Sequence, residues 1–339
     1  MIRLPRNIRL GLLTAVILLF FWLPVPGHAL HPFSDALAAA DDDSDTPAPA
    51  HHRHSKSHKK KHSHARKQSL RAPHRHVIGG SHPFAALVVD ADSGHILYEV
   101  NADAPRHPAS LTKMMTLYLL FEALHKDDVS MDTLMPASIT ASAQQPTNID
   151  LMPGDRITVK TAIESIVVRS ANDSAVVVAE AIGGSIEKFA SMMNRKAAQL
   201  GMTGTHFYNP NGLPDDRQVT TAYDMARLGI ALRRDFPQYY HYFSLQEFTY
   251  RGQLYEGHNH LLGRYPGADG IKTGFIGNSG FNLVTSVKRS GLHLVGVIMG
   301  GRTAASRDQQ MMDMLDNTFS GLAKSGRRTS RPDGDDNPG

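Results

Sequence analysis

The stretch GADGIKTGFIGNSGFNLVTSVKRSGLHLVGVIMG, Gly267 to Gly300, decides the fold. It holds three apolar runs, Gly270–Ile276, Phe281–Lys288 and Leu292–Met299, separated by short connections that contain glycine. Runs of this length bounded by Gly, Asn and Ser read as strands joined by tight turns. Far upstream, AALVVDADSGHILYEV (Ala85 to Val100) has the same character, with Asp92-Ser93-Gly94 as the turn of a hairpin. The intervening chain reads as helix. Leu111–His125 is one segment, VKTAIESIVVRSAN and DSAVVVAEAIGGSIEKFASMMNRKAAQLG form a helical block with Gly201 as its C-terminal stop, and TTAYDMARLGIALRRD is capped by Thr220 or Thr221. YNPNGLPDD, Tyr208 to Asp216, is dense in turn formers and reads as a structured loop. A last helix is expected over Arg307–Ser320. The hairpin and the C-terminal strands complete one another. The expected fold is therefore α+β, an antiparallel sheet of about five strands covered by helices, with an all-helical lobe inserted between the two halves of the sheet.

The 339 residues contain no cysteine, which excludes a disulfide framework and thiolate chemistry. Residues 1–29 have the layout of a secretory signal: Arg3, Arg6 and Arg9, then the uncharged block Gly11–Leu23, then small residues at Gly27 and Ala29. Residues 30–82 offer no core. Within them, His51 to His76 holds nine Lys/Arg, eight His and no acid; the whole chain is +4, so this +9 segment leaves −5 for the rest. Such a block repels itself and reads as a disordered linker, with electrostatic contact to anionic envelope polymers as the partner it would take. Its histidines lack the fixed spacing of a metal site. An exported chain argues against nucleic acid. The folded domain is expected over 83–320, with a disordered polar tail over 321–339, and the expected location is the periplasm or cell envelope.

Three short motifs carry the chemistry. Ser110-Leu-Thr-Lys113 places a hydroxyl three residues before an amine at a helix start, one face of the first turn. A serine attacks only when a base takes its proton, and a lysine serves when burial or a nearby cation lowers its pKa. Taken alone, Ser110 is an ordinary capping residue. Ser170-Ala-Asn172 lies in a turn between helical stretches. Its hydroxyl can relay a proton, and the Asn can hold a lysine with its carbonyl and a substrate with its donors. Taken alone, it is a helix boundary with Asn as the cap. Lys272-Thr273-Gly274 lies on a strand, where the cation and hydroxyl can bind a carboxylate and the glycine leaves a strand edge open to a substrate backbone. Phe275 N–H, with that of Ser110, can form an oxyanion hole.

S-x-x-K, S-x-N and K-T-G in this order form the set shared by penicillin-binding proteins and serine β-lactamases. With PASLTKMMT, SANDSA, NPNGLP, HNHLL, GADGIKTG and the distal VIMGG and SRDQQMMDML, the chain resembles the serine-type D-alanyl-D-alanine carboxypeptidases, the low-molecular-mass penicillin-binding proteins, from about Pro83 to Ser320. The resemblance implies a β-lactamase/transpeptidase-like fold and acyl transfer from peptidoglycan stem peptides, with β-lactams as covalent inhibitors and no cofactor or metal. It implies that Ser110 is the nucleophile and Lys113 its base, and that Ser170 and Asn172 assist proton transfer and hold substrate. Lys272 and Thr273 take the terminal carboxylate, Gly274 keeps the strand edge open, and Phe275 with Ser110 forms the oxyanion hole. A class A β-lactamase would need a Glu-x-x-Leu-Asn run after Asn172, and none occurs before Lys272. Endopeptidase cleavage of cross-links uses the same site and stays open. A non-catalytic wall-binding protein would not need all six polar site residues. His258 and His260 read as structural, Met114 and Met115 as core, and Arg307 as a packing or salt-link residue. Longer family members carry a further β-rich domain and an anchoring helix. About nineteen polar residues follow Ser320 here, so association with the membrane, if any, is expected through the N-terminal segment.

Overall fold

The computed structural model describes residues 82–329, with side chains to 323; the expected signal, nearly all of the linker and the tail beyond 329 lie outside these residues. The elements run β1 (Ala85–Asp90), β2 (Ile96–Val100), α1 (Lys113–His125), β3 (Leu134–Pro136), α2 (Ile139–Ser142), β4 (Arg156–Thr158), α3 (Val159–Val168), α4 (Asn172–Gly183) and α5 (Ile186–Gln199). They continue with α6 (Ala222–Asp235), β5 (Glu247–Tyr250), β6 (Gln253–Glu256), β7 (Ala268–Ile276), β8 (Gly280–Arg289), β9 (Leu292–Gly301) and α7 (Ala304–Thr329).

The hairpin and the C-terminal meander form one antiparallel sheet of five strands in the order β2-β1-β9-β8-β7, as the two separated patterns required. Alternation along each strand divides the core into two, because successive side chains leave a strand on opposite faces. Leu87 and Val89 of β1, Val284 of β8 and Val295, Val297 and Met299 of β9 join the large core of the inserted lobe. Ala86, Val88, Leu283, Val287, Leu294 and Ile298 face the other way, onto Met311, Met314, Leu315 and Phe319 of α7. Strands buried on both faces read as continuous apolar runs, which is why the meander showed little alternation.

Within the lobe, α1 is the central helix. Every residue from Lys113 to Leu124 except Glu122 is buried, so the helix has no wet face and holds its N-terminus rigidly at the sheet. Two findings refine the expected helices. The block after Ser170 breaks into α4 and α5, because Gly184 takes a left-handed conformation and Ser185 caps α5 by accepting from Lys188 N–H. To the helices the structure adds two two-stranded ribbons, β3-β4 and β5-β6. The last helix is longer than Arg307–Ser320 at both ends. Thr303 accepts from Ser306 N–H at its start, and Leu322 packs with the second core, so Gly321 does not stop it.

Candidate active site

Ser110 lies in a 3₁₀ turn, Ala109–Thr112, that leads into α1. The α-helix itself begins only at Lys113, two residues later than the sequence pattern suggested. The tighter turn matters because residues i and i+3 eclipse in a 3₁₀ helix. It stacks Ser110 on Lys113 and brings Lys113 Nζ to 3.0 Å from Ser110 Oγ. The capping explanation for Ser110 fails, since its hydroxyl caps neither the turn nor α1.

Lys113 is wholly buried. Its Nζ lies 2.7 Å from Asn172 Oδ1 and 2.5 Å from the carbonyl oxygen of Asn211, with no carboxylate in ion-pair range among the described residues. Burial first, and then the charge of Lys272, hold the amine well below the ordinary lysine range; Asp173 opposes them. Two of the three neighbours are carbonyl oxygens, which only accept. A neutral amine donates its two hydrogens to them and turns its lone pair to the third neighbour, the Ser110 hydroxyl. Burial disfavours the charged form, and with the Asn172 and Asn211 oxygens able only to accept, the lone pair of a neutral Lys113 has the Ser110 hydroxyl as its one remaining neighbour.

Ser170 follows α3 with φ of 61° and is buried. Its Oγ accepts from Lys272 Nζ at 3.0 Å, which joins the second motif to the third. Asn172 opens α4 and is not its cap, which is Ala171. Its carbonyl holds Lys113 as expected, but one of its amide hydrogens is committed to the backbone oxygen of Gln145 at 2.8 Å, leaving a single donor for a substrate. The next residue, Asp173, is buried and accepts from the N–H groups of Ile149, Leu151 and Ser174, fixing the loop that carries Gln145. Burial pushes its carboxyl upward, against those three bonds.

Lys272 on β7 is also buried, with Ser170 Oγ and the Thr273 carbonyl each 3.0 Å from its Nζ. Burial, then the charge of Arg307, brings its pKa down to about 7. Arg307 itself is buried against Asp308, Nη2 to Oδ1 2.7 Å, the salt link expected of it. Thr273 is buried beside Lys272, and Phe275 is 53 % exposed, its ring tilted over that of Phe281 at 4.3 Å.

Gly274 also has a packing reason that its sequence position did not suggest. A Cβ there would stand 3.0 Å from Ser110 N and 3.1 Å from Leu111 N, so the missing side chain admits the serine turn against β7. β7 remains the outermost strand of the sheet.

All eight residues singled out in the sequence thus converge: Ser110, Lys113, Ser170 and Asn172 from the lobe, Lys272, Thr273, Gly274 and Phe275 from the sheet. Missed were Asn211, whose carbonyl accepts from Lys113, and Asp173, which fixes the loop that carries Gln145. Asn211 contributes a backbone oxygen, for which no side-chain signal exists. The glycine after it was the available clue: Gly212 has φ of 87°, and a Cβ there would collide with the Ala109 carbonyl, so the loop and the serine turn are built against each other. His258 and His260 line a cavity of about 390 Å³ shared with Lys272 and Thr273. His260 Nδ1 stands 3.7 Å from Asp308 Oδ2.

The model of the D-alanyl-D-alanine carboxypeptidase family, peptidase family S11, matches residues 80–303, which include all eight residues singled out in the sequence. The chain belongs to this family. It is 36% identical over 247 residues to D-alanyl-D-alanine carboxypeptidase DacF of Bacillus subtilis, covering 70% of this chain and 62% of the relative. Among solved structures, penicillin-binding protein 5 of Haemophilus influenzae superposes with a TM-score of 0.68 at 32% identity, covering 70% of each chain. Penicillin-binding protein D2 of Listeria monocytogenes, solved with bound cefotaxime, gives 0.64 at 29% identity, covering 69% of this chain and 96% of that one. The chain spans about three fifths of the length of the curated carboxypeptidases it matches.

Proposed function

We propose that the protein is a serine DD-carboxypeptidase that removes the terminal D-Ala from peptidoglycan stem pentapeptides through an acyl-enzyme on Ser110. The observation that carries this reading is the environment of Lys113, whose amine is buried, faces two oxygens that only accept, and meets a hydroxyl as its third neighbour. Ser110 Oγ attacks the carbonyl carbon of the penultimate D-Ala as its proton passes to Lys113 Nζ. The N–H groups of Ser110 and Phe275 hold the oxyanion, where one such donor contributes roughly 10²–10³ in rate. The C–N bond then breaks, and the departing D-Ala amine takes a proton through Ser170 Oγ, which Lys272 touches. Asn172 holds Lys113 and offers its remaining N–H to the substrate. Lys272 and Thr273 bind the terminal carboxylate. Water next adds to the acyl carbon, releasing the shortened peptide and returning a proton to Ser110. A β-lactam presents the same amide and acylates the same oxygen. Cefotaxime in the related Listeria structure is consistent with this.

The reading places the enzyme outside the cytoplasm, with residues 1–29 as the export signal, in the periplasm or at the envelope. Residues 51–76 would bring it to anionic envelope polymers by charge. Among the described residues no helix is long and apolar enough to cross a membrane.

The test uses a fluorescent penicillin and a pentapeptide ending in D-Ala-D-Ala. The wild-type chain labels covalently and releases D-Ala, and Ser110→Ala does neither. Full labelling of Ser110→Ala would overturn the assignment.

A further inference from the structure

We infer that Asn282 is a positioning residue for the nucleophile, holding the backbone that enters Ser110 in register with the K-T-G strand. The inference rests on the reading of Ser110 as the nucleophile and deepens it.

Asn282 is fully buried on β8, opposite Gly274 of β7. Its amide nitrogen donates to two consecutive carbonyls, His107 O at 3.0 Å and Pro108 O at 3.2 Å. Its Oδ1 accepts from Gly300 N–H at 3.0 Å. Two acceptors on one side and a donor on the other leave one orientation of the amide, and all three of these polar positions are used. Aspartate, the isosteric alternative, would present oxygen to both carbonyls.

The surroundings explain why a side chain does this work. Pairing of β8 with β9 shifts register between Phe281 and Leu283, a bulge at the position of Asn282. The irregularity leaves Gly300 N–H to the Asn282 side chain and the Asn282 carbonyl to Arg307 Nη1, at 3.0 Å. One residue on, Ala109 is held at φ of 49°, and its carbonyl faces Gly212. The segment His107–Ser110 is therefore pinned from three directions: by Asn282 from β8, by Gly274 from β7, and by Gly212 from the Asn211 loop. Of these pins, Asn282 alone makes directional bonds to the segment. They fix where the Ser110 N–H points as well as its Oγ, so both the proposed oxyanion donor and the nucleophile depend on them. A displacement of about 1 Å at a reacting group costs on the order of 100-fold in rate.

The experiment measures penicillin acylation of the full chain, separating the non-covalent binding constant from the acylation rate constant, with melting temperature recorded alongside. Asn282→Asp is expected to lower the acylation rate constant about 100-fold with the binding constant unchanged. Asn282→Ser is smaller, keeps one donor and suits the case in which Asp does not fold; it is expected to lose about tenfold, between wild type and Asp. A purely structural role would lower the melting temperature of both variants while the folded fraction acylated at the wild-type rate, and that result overturns the inference. Ser110→Ala separates the two readings. If it labels, the nucleophile assignment fails whatever Asn282 does. If it is blank while Asn282→Asp and Asn282→Ser acylate normally, only the positioning role fails.

Discussion

The lobe face and the sheet face of the cleft each bury a lysine, and the two differ in what surrounds the amine. Lys113, on the lobe, has two carbonyl oxygens and a hydroxyl within 3.0 Å. Lys272, on the sheet, has one hydroxyl and the adjacent Thr273 carbonyl, with the Arg307 charge nearby. Burial is the largest cause of the downward shift in both. The rest of the environment sorts them. At Lys113 the accepting oxygens consume both hydrogens of a neutral amine and leave its lone pair to Ser110. At Lys272 one acceptor is a hydroxyl that can rotate, and the side chain borders the cavity beside Thr273, where an incoming carboxylate would restore the charged form. In the proposed reaction the same residue type is thus a base on one wall and an anion receptor on the other.

Exchanging each lysine for methionine is the strongest way to break this comparison. Lys113→Met removes the proposed base at Ser110, and acylation should fall by about 10³-fold, within the usual range for general-base removal. Lys272→Met should chiefly weaken binding of peptides ending in a free carboxylate, and it should abolish the preference of the wild type for such peptides over C-terminal amides. A second effect links the two walls. The Lys272 charge helps to lower the Lys113 pKa, so in Lys272→Met the rising limb of the acylation pH profile should move to higher pH. Stopped-flow acylation across pH checks all three outcomes. An unmoved limb would mean that the two lysines are electrostatically independent.

Gly274→Ala gives a smaller and sharper test. Its Cβ would stand 3.0 Å from Ser110 N, so the serine turn must retreat by a few tenths of an ångström. The sheet face would then displace the lobe face without changing any polar group. Acylation is expected to fall about tenfold, less than the cost of a full ångström, with little change in melting temperature. Wild-type acylation in this variant would show that the turn is not held by β7.

How much of this was legible follows from the kind of signal involved. The sheet was readable because its strands are apolar runs punctuated by glycine, and the two separated patterns had no other partner. Seven of the eight candidate site residues were readable because S-x-x-K, S-x-N and K-T-G are residue patterns in a fixed order, and Phe275 was readable only as the residue that follows K-T-G. What escaped was chemistry carried by the backbone or by close approach. The Asn211 carbonyl has no residue-type signature. The reason for Gly274 appears only when the serine turn lies against β7. Asn282 reads as an ordinary polar residue in a strand until the bulge at its position is seen. The end of α7 was placed too early because the chain after Ser320 reads as a polar tail, whereas Leu322 packs on the second core and the helix continues to Thr329.

The last expected effect concerns stability rather than rate, and it follows from both lysines at once. Each has a folded pKa below its unfolded value of 10.5, Lys272 at about 7 and Lys113 well below 10.5. Between the folded and unfolded values the unfolded chain binds more protons than the native one, so stability rises with pH across that window. For Lys272 the window runs from about 7 to 10.5. A single such lysine contributes a slope of about 1.4 kcal/mol per pH unit at most. The ligand-free wild type should therefore gain stability toward denaturant as pH is raised from 7 toward 10. Lys272→Met should lose part of that slope, and should be more stable than wild type near pH 7, where a buried amine costs most relative to an apolar chain. Carboxylate-terminated peptide should flatten the slope of the wild type by holding Lys272 charged, and leave Lys272→Met unchanged. Denaturant titrations at several pH values read each slope directly. Between pH 7 and 9, below the range in which Tyr118, Tyr240 and Tyr265 with their raised pKa values oppose the lysines, a wild-type slope equal to that of Lys272→Met would mean that Lys272 is not shifted, and with it would go the distinction between a base on the lobe and a receptor on the sheet.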